Sequence, residues 1–182
     1  VITSRIYRDG FRAIIILIAL GVFGIACTSP EPAAKEEKIL AAFPLDSFEG
    51  IVDVTALQID PGVFAEGEGS ARIESGGTAT VRLFEIDDPD VEYARLVYRA
   101  RLKTANVAGK AYLEMWCSFP GKGENFSRSL QAPLSGTADW TEVETPFFLK
   151  KGENPDRVRL NVVLEGGGTL WVDDIRLVAA EL

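Results

Sequence analysis

The sequence predicts an antiparallel two-sheet β-sandwich over residues 43–182. Three observations carry this reading. Apolar residues recur with period two in short runs, the runs are separated by clusters of Gly, Asn, Asp and Pro, and no long segment has the 3.6-residue period of an amphipathic helix. The span is long enough for one domain with a real core, and no internal repeat or second linker divides it.

The strands follow in order. SARIESG (70–76) and TATVRLFEI (78–86) come first. In ARLVYRARLK (94–103), Leu96, Tyr98, Ala100 and Leu102 face one way, and Arg95, Val97, Arg99, Arg101 and Lys103 the other. In AYLEMWCSF (111–119), Leu113, Met115, Cys117 and Phe119 share the core face, which leaves Tyr112, Glu114, Trp116 and Ser118 on the opposite one. NFSRSLQ (125–131) and WTEVETPFFL (140–149) are the next two strands. RVRLNVVLEG turns Val158, Leu160, Val162 and Leu164 inward and Arg159, Asn161, Val163 and Glu165 outward, and GTLWVDDIRLV closes the domain. Alternation of this kind belongs to antiparallel sheets with one buried face, here roughly eight to ten strands in all.

Ahead of the domain, Arg5, Arg8 and Arg12 precede an apolar run from Ala13 to Ala26, which is the plan of a signal peptide over residues 1–26. The run is shorter than the roughly 20 residues a spanning helix needs. It ends at Gly24, Ile25 and Ala26, directly before Cys27, and this border resembles the lipobox of bacterial lipoproteins. The resemblance implies that Cys27 becomes the first residue of the mature chain and carries acyl chains. Each buried methylene contributes roughly 0.8 kcal/mol, so stable anchoring takes more than one chain. Thr28, where the family uses Asp to retain lipoproteins at the inner membrane, implies sorting to the outer membrane of a cell that has two, and otherwise the outer face of the plasma membrane. Plain secretion and an uncleaved anchor are the alternatives. From Cys27 to Ala42 the Pro, Ala, Glu and Lys content reads as a flexible tether, within which AAKEEKILAA has the length of a helical turn or two.

Composition excludes several functions. Lys and Arg number 19 against 27 Asp and Glu, for a net charge of −8, so a nucleic-acid partner is not expected. The chain has no histidine, which removes Ser-His-Asp and Cys-His nucleophiles, the common zinc spacings and HExxH chemistry together. Cys117 is the only cysteine besides Cys27, so acylation of Cys27 leaves no disulfide, and Cys117 reads as a small buried residue.

The stretch ADWTEVETPFFLKKGENPDRVRLNVVLEGGGTLWVDDIRL resembles the closing strands of jelly-roll carbohydrate-binding modules of the galactose-binding-like kind, and LDSFEG (45–50) is similar to their first strand. In that family sugar rings lie in a groove on the concave sheet, stacked on aromatics. The resemblance implies a groove on which Trp116, with Tyr112, Glu114 and Ser118, is joined across strands by Arg99, Arg101, Arg159 and Asn161. The loop FPGKGENFS (119–127) would add Asn125 and Phe126 to its wall. The other reading of Trp116 is packing beneath that loop. Trp140 and Trp171 occupy positions where an aromatic helps close the sandwich. Glu49, Asp173 and Asp174 match acidic positions near a structural calcium in such modules, with a solvated acidic edge as the alternative; no other cofactor is implied. The expected function is non-catalytic glycan binding at the cell envelope. An adaptor for an envelope protein is the second reading, and a glycoside hydrolase using Glu114 and Glu165 the third.

Overall fold

The computed structural model describes residues 37–182; the expected signal peptide, Cys27 and residues 28–36 of the expected tether lie outside them. Nine strands make up the described residues: β1 (Glu37–Phe43), β2 (Gln58–Asp60), β3 (Ser70–Ser75), β4 (Ala79–Asp87), β5 (Arg95–Phe119), β6 (Gly123–Arg128), β7 (Leu134–Phe148), β8 (Arg157–Leu164) and β9 (Gly168–Ala180). A 3-10 turn at Val54–Ala56 is the one helical element among them. All pairings are antiparallel.

Two long chain segments organise the sandwich. β5 runs without a break through 25 residues, where the sequence suggests two separate strands. Antiparallel to it run β8 and β9, which together follow β5 from Ser118↔Arg157 to Arg95↔Ala180. The first half of β5 lies between β9 and β7, and β9 carries β3 and β1 on its other edge. The second half lies between β8 and β6, with β4 outside β8. The hydrogen-bonded ladder therefore folds over into two layers: β2-β3-β9-β5-β7 with β1, and β4-β8-β5-β6. Leu96, Tyr98 and Leu102 from the first layer meet Leu113, Met115, Leu160 and Leu164 from the second in one core, all with at most 1 % of their surface exposed. Each such side chain contributes about 1.5–3 kcal/mol of burial.

The crossing between layers requires glycine. A Cβ on Gly109 would sit 2.5 Å from the carbonyl oxygen of Glu165. At Gly168, φ is +128° and a Cβ would sit 2.7 Å from Val107 Cα. Hydrogen bonds from Ala108 N to Gly167 O and from Glu165 N to Lys110 O fasten the crossing.

Two boundaries differ from the sequence reading. Residues 37–42, assigned there to the tether and to a helical turn, form with Phe43 a strand along the free edge of β9, with Leu40 and Ala41 against the core and Phe43 stacked on Phe84 at 3.7 Å. A vacant edge with apolar neighbours outweighs local propensity in a segment this short. LDSFEG, likened to a first strand, is instead bends and a turn. Trp171 also departs from its assigned place: between core residues Leu170 and Val172, it points outward and donates from Nε1 to Asp60 Oδ2 at 2.9 Å, while Trp140 is partly buried on β7.

Gly168→Ala is expected to lower stability by about 1–3 kcal/mol, through backbone strain and the clash with Val107. Gly77→Ala, with no positive φ and nothing within 4 Å of its Cβ, serves as the neutral control. Urea midpoints of the two variants check this.

Candidate functional site

The outer face of the β4-β8-β5-β6 layer is built by register. Arg82, Asn161, Glu114 and Arg128 form one row across its strands. The adjacent row is Glu85, Arg159, Trp116 and Phe126, and the next is Asp87, Arg157, Ser118 and Glu124. Because side chains alternate along each strand, the residues beside these point into the core, including Met115, Cys117, Leu160 and Val162. Tyr112, Glu114, Trp116, Ser118, Arg159 and Asn161 thus share one surface, as the alternation predicts.

Glu114 is the centre of this face. Only 5 % exposed, it accepts hydrogen bonds from Trp116 Nε1 at 2.7 Å and Asn161 Nδ2 at 3.0 Å on one oxygen, and from Arg128 Nε at 2.6 Å on the other. Burial pushes its carboxyl up, but the bonds from Trp116, Asn161 and Arg128 outweigh that and hold it below the usual carboxylate range. Glu114 is a fixed anion that orients its neighbours. Glu165 is engaged separately, as acceptor from the Tyr112 hydroxyl at 3.0 Å.

Above Glu114 the aromatic and guanidinium groups form a ladder. The Arg159 guanidinium lies 5.5 Å from the Trp116 ring centroid, Trp116 and Phe126 are 4.8 Å apart at 40°, and the Arg128 guanidinium lies 4.6 Å from Phe126. Arg159 Nη2 and Ser118 Oγ both donate to Glu124, each at 2.7 Å. Phe126 is 49 % exposed, whereas Trp116 is partly covered. Trp116 therefore packs partly beneath the β5-β6 hairpin and, with Phe126, contributes to the exposed face.

The structure separates the other named residues from this face. Arg99 and Arg101 sit on the first half of β5, in the opposite layer. Arg99 donates to Glu37 and Glu144 and so clamps β1, β5 and β7, while Arg101 faces Glu66 and Asp174. Asn125 pairs in register with core-facing Cys117 and points away from Phe126. Cys117 is wholly buried, and desolvation pushes its thiol up to about 12.

Glu49, Asp173 and Asp174 do not assemble as calcium ligands. Asp173 is buried and accepts the backbone amides of Ala65, Glu66 and Asp174, burial raising its carboxyl against those bonds. Donors aimed at both its oxygens oppose a cation there. Asp174 pairs with Arg176 at 2.8 Å, and Glu49 is exposed in its turn. Among the described residues no group of three His, Cys, Asp or Glu side chains converges to hold a metal ion.

Arg128 and Glu124 are neighbours on this face that the sequence reading did not name. Arg128 lies in the strand read at NFSRSLQ and Glu124 in the loop FPGKGENFS; the alternation of Glu124, Phe126 and Arg128 is the signal that places both on this face.

Compared by sequence, the chain matches no family model and no curated protein. Compared by structure, it is similar to carbohydrate-binding modules. One is the CBM22-1 xylan-binding domain of Xyn10C from Paenibacillus barcinonensis, with TM-score 0.57 and 10 % identity over 82 % of this chain and 99 % of that one. Another is the CBM22-1-CBM22-2 tandem domain of the same protein, with TM-score 0.59 and 12 % identity over 84 % of this chain and 48 % of that one. A third is the CBM22-1-GH10 portion of Xyn10B from Clostridium thermocellum, complexed with xylohexaose, with TM-score 0.56 and 11 % identity over 79 % of this chain and 29 % of that one. At these identities the likeness establishes the fold, an antiparallel two-sheet jelly roll of the kind carbohydrate-binding modules use.

The hydrogen bonds to Glu114 carry a pH signature. Its folded carboxyl lies below its unfolded value, so the stabilisation is complete above the unfolded pKa of about 4.3 and is lost as pH falls through the folded value. Glu114→Gln is expected to cost about 1–3 kcal/mol at pH 7. The gap to wild type should narrow in denaturant titrations as pH drops from 5 towards the folded pKa.

Proposed function

We propose that the chain is a cell-envelope lipoprotein whose sandwich binds a glycan without chemistry, on the outer face of the β4-β8-β5-β6 layer. The observation that carries the proposal is Phe126, half exposed and set against a Trp116 whose indole is fixed from below by Glu114. A sugar ring offers an apolar C–H face to such a platform, and the Arg, Glu and Ser groups around it match the hydroxyls at the ring's edge. The similarity of the fold to modules described as xylan-binding supports the class of ligand. The state of Glu114 supports binding over hydrolysis. A general acid needs a raised pKa, and here three donors keep the carboxylate ionised.

The anchor in this reading is Cys27, for the reasons the sequence supplies. Strand β1 begins at Glu37, so the tether from the membrane is shorter than composition alone indicates. Labelling cells with a fatty-acid probe should mark the wild type and not Cys27→Ala; equal labelling of both removes the anchor from the proposal.

A glycan array tests the binding face. Stacking adds about 0.5–1.5 kcal/mol beyond area burial, so single-site affinity is weak and Phe126→Ala should lower it several-fold with the melting temperature unchanged. Trp116→Ala should abolish most binding and also lower stability, because it removes a donor from Glu114. Glycan binding that survives both substitutions rejects the face. A silent array with one specific envelope partner supports the adaptor, and reducing ends that disappear with Glu114→Gln support the hydrolase.

A further inference from the structure

The β6 edge of one layer and the β7 edge of the other are joined at Ser127 and Thr145, whose hydroxyls lie 2.9 Å apart. Towards the β5-β6 turn the two edges part, and an open groove of about 330 Å³ lies between them. Its walls include Phe119 and Phe147, whose ring centroids are 6.2 Å apart, and its rim carries the exposed rings of Phe126 and Phe148. Phe126 belongs to both surfaces, so the groove continues from the Trp116 face.

Of the six described lysines only Lys103 is ion-paired, and three of the other five lie at or next to this groove. Every described arginine is ion-paired, and so is Lys103. Lys122 and Lys150, which flank the groove, make no ion pair among the described residues, and neither does Lys151 next in the chain. Glu153, also on the groove, accepts the backbone amide of Lys150 at 2.9 Å and offsets part of this positive charge, leaving the lysines in excess. In a chain of net charge −8, unpaired cations gather beside an aromatic groove.

From this juxtaposition we infer that the groove is a subsite for an acidic sugar, a hexuronate unit of the bound glycan. Its C–H face rests on Phe126 and Phe148, and its carboxylate pairs with Lys122 and Lys150. Asn125, on the groove side of β6, supplies both a donor and an acceptor for a ring hydroxyl. The inference rests on the glycan-binding reading and adds the charge class of the ligand. The Trp116 face does not itself select an anion, since its arginines are already matched by Glu85, Asp87, Glu114 and Glu124.

The test uses the full chain and matched polymers, polygalacturonate and its fully methyl-esterified form, alongside neutral glycans. The acid form should bind about fivefold more tightly than the ester at low ionic strength, and the preference should fade in 0.5 M salt, as exposed ion pairs do (~tenfold is the ceiling). A Lys122→Gln, Lys150→Gln double variant should lose the preference while keeping the wild-type circular dichroism spectrum and its binding to neutral glycan. Equal affinity for acid and ester, or a preference that survives the double variant, overturns the subsite and leaves Phe126-dependent glycan binding standing. Absence of all glycan binding overturns both. Binding to phosphatidylglycerol vesicles that the double variant loses, without any uronate preference, overturns the subsite in favour of a lipid surface.

Discussion

The paired run of β5 against β8 and β9, and the glycine contact at which both segments pass from one layer to the other, is the constraint on which the rest of the structure depends. The backbones at Gly109 and Glu165, and at Val107 and Gly168, approach more closely than any Cβ permits. With the crossing fixed, the register of β8 on β5 is fixed, and a one-residue slip would turn every side chain of the pair to the wrong face. Placement of Asn161 beside Glu114 and of Arg159 beside Trp116 is a consequence of that register. The separation of Arg99 from Trp116 is another, since one strand serves two layers.

Alternation made the faces of each half-strand readable, because a period of two is a local property. Leu113 to Phe119 and Val158 to Leu164 turn inward where expected, and Trp116, Tyr112, Arg159 and Asn161 meet on one surface. The relation between faces was not local. ARLVYRARLKTANVAGKAYLEMWCSF keeps its pattern through the crossing, interrupted only around Asn106 and Gly109, so nothing in it tells that the outer face holding Arg99 and the outer face holding Trp116 look in opposite directions. The first strand was hidden for a related reason. EKILAAF has a charged start and two alanines, and becomes a strand because β9 leaves it an edge and Arg99 a partner for Glu37. Trp171 kept its expected strand but not its expected role, as its indole is tied to Asp60 outside the core.

Charge is spent differently on the two layers. Across the outer face of the first, Arg99 joins Glu37 on β1 to Glu144 on β7, and this hydrogen bonding holds Glu37 below the usual carboxylate range. Such partly exposed pairs contribute modestly one by one, and their value here is to fix three strands together. On the second layer the central carboxylate is buried, so leaving its donors unmatched costs more, and the network around Glu114 acts as a rigid base for the rings above it.

That difference bears on what the second face can do. Hydrolysis of a glycosidic bond asks one carboxyl with a raised pKa to protonate the leaving oxygen and a second, ionised carboxylate to attack the sugar or activate water. Glu114 has both oxygens taken by donors from its own sheet, and Glu165 is held by a tyrosine hydroxyl. A face arranged this way loses little freedom when a ligand arrives, because the side chains beneath the platform are already ordered. Preorganisation of that kind favours recognition by shape and stacking. It also explains why the open ring is Phe126, at the outer strand, and the fixed one is Trp116: the indole N–H needs a partner when covered, and Glu114 supplies it, whereas a phenyl ring can face water or a sugar without leaving a polar group unmatched.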